Sequence, residues 1–484
     1  MRFLTILLAS LILLPLPRSG SHPDSATSAT AVMQTLKAYS DAYWARVAGR
    51  DDSLPPHVNG HDELGTRWLH DMRAALRGVP FLAIRQEFKT PGFKNLPADR
   101  PGVNLIVAVP GTRAPDQSVI VGTHYDGEPF SKGSAYDDTS GVAITLQVAR
   151  LMAPIWHAQG LPARTVEFVL FDAEEQGMIG SEAYVQRMQH GALLPRPALM
   201  IDEEQNGVGY PVRPFGLLSN EPLPAFAWTS DPLPPVLGKI HPIPAAQRRL
   251  LHSQLVDARG AVFRRLHAAV SPLRFQGGAA PAFTSADESL VRIGRVNICC
   301  SDNAPFEVAG YPNVTFAGDA GYYDRNPPPW AYPFDQPQDT FTTLACDTGG
   351  SPTPSPALAA ALDLPVQLTL ELLHDNAPPS GRVGPPAVLS PQVAVAGTAL
   401  HLAVSTGGTV HYDFGDGTRG TNPVHTYRRP GHYKLRVIDG RRSAVQTIVV
   451  RKQALGPDVP LGVIGPPPIR PWHPDALSGV AGCP

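Results

Sequence analysis

From residue 104 to residue 373, short apolar runs of strand length alternate with longer stretches of helical spacing. The runs are Asn104–Val109 (NLIVAV), Ser118–Thr123 (SVIVGT), Val166–Phe171 (VEFVLF), Ala198–Ile201 and Asn313–Phe316. The helical patterns fall at Val142–Met152, Ser181–Met188 and Ser355–Leu373. This alternation indicates an α/β fold, a mostly parallel mixed sheet flanked by helices. Two further helices are expected upstream, near Ala31–Val47 and His61–Arg77; the second has Leu64, Trp68, Met72 and Leu76 at four-residue spacing. Open parallel sheets bind ligands at the carboxyl ends of their strands, and the polar chemistry gathers there. His124-Tyr125-Asp126 follows one strand, Asp137-Asp138-Thr139-Ser140-Gly141 opens the next helix, and Glu174-Glu175 follows another strand. Asp202 is expected to end the strand Ala198–Ile201, and the run Asp335 to Asp339-Thr340 closes the set.

Composition bounds what surrounds this core. Of 484 residues, 17% are charged and 53 are proline, with a net charge of −2; typical proteins carry about 25% charged residues and about 5% proline. Near-neutrality excludes a general nucleic-acid role. Residues 1–21 join Arg2, a short apolar run and a Pro/Ser break, which reads as a signal peptide rather than a membrane span. A secreted or periplasmic location and no membrane span are therefore expected. The domain reading is a catalytic unit at 22–375 with an insertion at 213–296, a linker at 376–384, an all-β unit at 385–452 and a Pro-rich tail at 453–484. The insertion contains a helix candidate at Ala245–Val270. With only Cys299, Cys300, Cys346 and Cys483, the chain is no disulfide scaffold; one bridge between Cys346 and one of the adjacent pair is plausible.

Taken singly, each polar signal is ordinary. An Asp-Asp pair before Thr-Ser-Gly commonly caps a helix, and a Glu-Glu pair is commonly solvated surface. Their joint occurrence at successive strand ends matches what a hydrolytic metal pair requires. Imidazole and carboxylates hold Zn²⁺, one carboxylate can bridge two ions, and another can carry a proton between water and the leaving amine.

The strings GTHYD (122–126), YDDTSG (136–141), FDAEEQGMIGS (171–181), MID (200–202), CSDNAPFEVAGYPNV (300–314) and DQPQDT (335–340) resemble the zinc-dependent aminopeptidase family of bacterial leucyl aminopeptidases. Glutamate carboxypeptidases and glutaminyl cyclases are relatives of that family. The resemblance implies a secreted exopeptidase with two Zn²⁺ per chain, most simply an aminopeptidase acting on peptides or proteins through metal-activated water. It implies that His124 and Asp202 hold one zinc, Asp137 bridges, Glu175 holds the second, Glu174 is the general base and Asp126 orients His124. Asp335 stands where the family has a His ligand. That leaves three readings open: a working altered site, a one-metal site, or a catalytically impaired binding protein. Tyr322 and Tyr323 are candidate oxyanion or substrate contacts, with plain packing as the alternative. A glutaminyl cyclase-like acyl transferase is the runner-up activity, against which the peptidase-like GMIGS (177–181) argues.

HYDFGDGT (411–418) and NPVHTYRRPGHYKLRV (422–437) resemble a PKD (polycystic kidney disease) domain, an immunoglobulin-like sandwich. That resemblance implies a spacer or a module binding a polymer or protein surface. The turn around Asp413 and Asp416 reads as structural in preference to a calcium site.

Overall fold

The computed structural model describes residues 25–44, 46–48, 60–89, 101–129, 131–189, 195–208, 215–219, 243–268, 274–275, 278–279, 291–295, 301–318, 332–347, 356–375, 387–389, 393–405, 409–440 and 442–452. The expected signal segment, Tyr322, Tyr323, Cys299, Cys300, Cys483 and the tail lie outside the described residues. Cys346 is disulfide-bonded, and every other cysteine falls outside that set.

The first strands are β1 (Leu82–Lys89), β2 (Pro101–Val109), β3 (Ala114–His124), β4 (Arg164–Phe171), β5 (Arg196–Glu204) and β6 (Phe215–Ser219). A two-residue pair follows, β7 (Arg274–Phe275) and β8 (Gly278–Ala279), then β9 (Val291–Arg295) and β10 (Asn313–Ala317). Eight of them form one sheet in the order β1-β2-β4-β3-β5-β10-β6-β9. Pairings from β4 through β3 and β5 to β10 are parallel, as is β6 with β9; β1 with β2, β2 with β4 and β10 with β6 are antiparallel. The expected mixed sheet is therefore present. The segment 213–296 is more than an insertion, because it opens and closes with strands that extend this sheet.

The helices are α1 (Ser25–Ala42), α2 (His61–Ala75), α3 (Ser140–Gln159), α4 (Ile179–Gln189), α5 (Ala245–Ala268), α6 (Asn303–Val308), α7 (Phe341–Asp347) and α8 (Pro356–Asp375). Strand side chains alternate between faces, so a strand covered on both faces reads as one continuous apolar run. In β2 to β4, Leu105, Val107, Val119, Val121, Phe168 and Leu170 enter one large core. Their neighbours Ile106, Ile120, Val169 and Phe171 enter the opposite one, with Tyr184 and Phe306. Helices α1, α2, α3, α5 and α8 pack together on the first face and α4 packs on α6 at the second. No described helix is long and apolar enough to cross a membrane.

The C-terminal unit has a five-stranded sheet built around β11 (Gly431–Asp439) and β12 (Arg442–Arg451). Leu435 and Val437 point inward beside Leu400, Tyr412, Phe414 and Ile448, while Tyr433 packs at the margin. Its acidic turn is committed to itself. Asp413 accepts from Gly415 N and Arg419 Nε, and Asp416 accepts from Thr418 and pairs with His425 at 2.8 Å.

Candidate metal centre

His124 is the last residue of β3, and Glu204 the last of the neighbouring parallel strand β5. The register sets Gly122 opposite Asp202, so His124 stands alongside Glu204, and Glu204 Oε2 lies 3.8 Å from His124 Nε2. Asp202 sits one pleat further back. Its Oδ2 accepts from Asn303 N and Thr315 Oγ1, both at 3.3 Å. The expectation that Asp202 ends its strand is thus corrected: β5 continues through Asp202-Glu203-Glu204. Inside, Glu203 accepts from Thr369 Oγ1 at 2.6 Å on α8 and Glu204 from Ser301 Oγ at 2.7 Å.

Asp137 and Asp138 lie in an irregular turn before α3, where the backbone leaves helical geometry (φ −118° and −132°), and the peptide between them is cis. His124 Nε2 is 2.9 Å from Asp137 Oδ1, and Gln205 Nε2 donates to Asp137 Oδ2 at 2.8 Å. Asp138 accepts from Thr123 Oγ1, Ser140 Oγ and Gly141 N, so its oxygens brace the start of α3. Gly141 is needed there: a Cβ would come within 2.2 Å of Thr123 Oγ1 and 2.3 Å of Glu203 O. Asp339 holds the turn from the far side, accepting from Tyr136 N, Asp137 N and Tyr332 OH.

Glu174 and Glu175 follow β4 through Ala173, which is held at φ +60°. Asp126 fixes them by accepting from Glu174 N at 3.1 Å and Glu175 N at 3.2 Å. Its contact with His124 is longer, 3.5 Å to Nδ1, where the Asp126 carbonyl also lies at 3.2 Å. Asp126 therefore orients both the imidazole and the Glu-Glu loop. Two groups of potential ligand atoms result, His124/Asp137/Glu175 and His124/Asp138/Glu204, each with its atoms within 4.8 Å of one another. Asp335, also at φ +60° and buried, adds its charge to Asp137 and Glu175. Glu174 is the partly exposed member of a set whose other acids are buried.

Burial raises these carboxyls, and their mutual repulsion adds to it. Glu174, Glu175, Glu204 and Asp335 stand well above the usual range, Asp339 at about 7 and Asp138 at about 8. Burial alone would lower His124, but hydrogen bonds to Asp126 and Asp137 outweigh it and raise the ring. Asp335 Oδ1 is buried and accepts no hydrogen bond from the described residues. Such crowding is costly unless a cation shares it, and one imidazole among carboxylates is a donor set suited to a divalent ion. The residues therefore fit a metal centre. Sequence reasoning missed Glu204, and it placed Asp138 and Asp339 in their motifs without giving either a role. The two-residue strand period linking Asp202 to Glu204 was the available signal for the first.

Beneath the Glu-Glu loop, His61 Nε2 bonds Asp172 Oδ1 at 2.8 Å and its ring stacks on Tyr125 at 4.3 Å. Burial would lower His61, but the Asp172 and Asp62 charges raise it to about 10. A raised imidazolium contributes stability in full below its unfolded value of about 6.5, and that contribution fades as pH rises through the folded value. Chemical denaturation from pH 6 to 10 is expected to show falling stability in the wild type. In His61→Gln the fall is expected to be shallower; equal slopes would contradict the assignment.

The fold and the cluster together define an α/β protein with a carboxylate-rich cluster, able to hold a metal ion, at the ends of its parallel strands. Residues 104–210 match the Peptidase family M28 model and residues 386–450 match the PKD domain model, so the chain combines an M28 domain with a PKD domain. It is 37% identical over 84 residues to a Glutamate carboxypeptidase 2 homolog of Caenorhabditis elegans, covering 17% of this chain and 10% of that protein. It is 36% identical over 96 residues to Carboxypeptidase Q of Bos taurus, covering 20% and 19% respectively. The chain thus spans between a tenth and a fifth of these curated relatives. Among solved structures, the Legionella pneumophila LapA aminopeptidase is similar at 15% identity and a TM-score of 0.43, covering 72% of this chain and 73% of that one. An Acidobacteriales bacterium glutaminyl cyclase is similar at 15% identity and a TM-score of 0.47, covering 75% and 98%.

Proposed function

We propose that the chain is a secreted zinc-dependent exopeptidase, acting as an aminopeptidase on peptides, with the PKD unit as a spacer or surface-binding module. The observation that carries the reading is the buried His124 cluster beside the partly exposed Glu174. His124, Asp137, Glu175, Glu204 and Asp335 are the residues that would hold two zinc ions. Glu204 takes the place first given to Asp202, because it is the residue alongside His124. Zinc there would supply Lewis acidity and lower the pKa of a bound water.

The chain's own residues do the rest. Glu174 takes the proton from the attacking water on its carboxylate and returns it to the leaving amine, a task suited to a carboxyl whose affinity for protons is raised by its partial burial and by the neighbouring Asp302, Asp137 and Asp126. Asp126 holds the backbone of Glu174 in place through Glu174 N. Asp138 and Asp339 fix the turn that presents Asp137. An assay across aminoacyl anilides, C-terminally blocked peptides, N-terminally blocked peptides and N-terminal glutaminyl peptides tests the reading. Release of N-terminal residues supports it; cleavage of N-blocked substrates from the C-terminus, or cyclisation of glutamine alone, would refute it.

Asp335 brings a fourth carboxylate to the proposed ligands, against Asp137 and Glu175. Exchanging it for imidazole removes a charge and restores ligand basicity. Asp335→His is expected to bind the second zinc more tightly and to turn over faster, by about tenfold, the scale of changing a group that tunes a metal site. Zinc titration of the stripped protein checks this; weaker zinc binding than wild type would contradict it.

A further inference from the structure

We propose that Arg46 is a positioning residue, tying the loop that follows His124 to the loop that carries Asp137 and so fixing the spacing of the two donor groups. The inference rests on the metal reading above. Arg46 is 1% exposed. Its Nε donates to Tyr125 O at 2.8 Å and its Nη1 to Gly133 O at 2.9 Å. Its own carbonyl accepts from Gly127 N at 2.6 Å. One residue thus grips both sides of Asp126 from its side chain and its backbone, and reaches across to the approach to Asp137.

The two loops touch at Gly127, where a Cβ would lie 2.4 Å from Ser134 Oγ. Gly133 O also accepts from Thr139 Oγ1 at 2.9 Å, so the carbonyl that Arg46 grips is already tied to the turn holding Asp137. The guanidinium is planar and its donors have fixed directions, so it sets an angle as well as a distance; a lysine cannot serve both carbonyls in the same way. Its charge lies among Asp339, Asp126, Asp138 and Glu175. An isolated buried cation would be strongly unfavourable, whereas one surrounded by carboxylates is supported. No step of the proposed hydrolysis uses Arg46, yet it sits between the parts that must stay in register.

The test uses the full chain as Arg46→Lys and Arg46→Met, with two readouts. Hydrogen exchange of the metal-stripped protein is expected to accelerate about tenfold or more at 125–127 and 131–139, less in the lysine variant, with β3 and β4 amides unchanged. The visible spectrum of the cobalt(II)-loaded protein is expected to shift in both variants, because ligand geometry changes. Exchange within twofold of wild type in both loops and an unaltered cobalt spectrum would overturn the inference. Acceleration spread equally over the strands would also overturn it, since Arg46 would then be holding the fold as a whole. A wild type that takes up no cobalt would refute the metal reading, while the exchange experiment would still judge the clamp.

Discussion

Glu174→Gln is expected to lower kcat by about 10²- to 10⁴-fold, the usual contribution of a positioned general base, while leaving zinc content and KM near wild type. The separation follows from where Glu174 stands. It is outside both groups of clustered ligand atoms, it is partly exposed, and its backbone is fixed by Asp126. The amide is nearly isosteric, so the loop should keep its shape and lose only the proton acceptor. Steady-state kinetics with parallel metal analysis decides the matter. Wild-type turnover in Glu174→Gln would remove it from the mechanism, and loss of zinc would make it a ligand.

The second large effect separates Glu204 from Asp202. Glu204→Gln is expected to drop zinc below two per chain and to cut activity by at least about 100-fold, as loss of metal-dependent activation should. Asp202→Asn is expected to keep its zinc, because Asp202 stands a pleat away from His124, outside both groups of clustered ligand atoms, with its Oδ2 accepting from Asn303 N and Thr315 Oγ1. Zinc measured on both variants, purified side by side, checks this. The reverse pattern would return the ligand role to Asp202. Uptake in every version should also weaken as pH falls, because protons compete for His124 and the carboxylates that must be free to bind.

Much of this was legible in the sequence because each strand and each donor motif carries its own local signal. The two-faced strands of the sheet read as continuous apolar runs, and GTHYD, YDDTSG and AEEQGMIGS fall at their carboxyl ends. His124, Asp137, Glu175 and Asp335 do converge. The misplaced strand end before Asp202 has a physical origin. Apolar patterning ends at Ile201, so the strand was expected to end there, but tertiary partners carry it three residues further. Thr369 from α8 and Ser301 before α6 each donate a hydrogen bond, to Glu203 and Glu204 respectively, and neither partner is visible locally. Strands β6 and β9 were hidden for a related reason. Each is only five residues long, within a proline-rich segment, and becomes recognisable only by pairing with β10 and with each other. Arg46 left no sequence signal at all, since a lone arginine reads as surface; its burial depends on carbonyls that lie 79 and 87 residues away.

The central claim is that these side chains form a two-metal hydrolytic centre. The most direct measurement is anomalous diffraction at the zinc edge from crystals of the full chain grown with zinc. The account predicts two peaks sharing Asp137, one beside His124 and Glu204, the other beside Glu175 and Asp335. A cluster with no anomalous peak, or with zinc bound only elsewhere in the molecule, would contradict it.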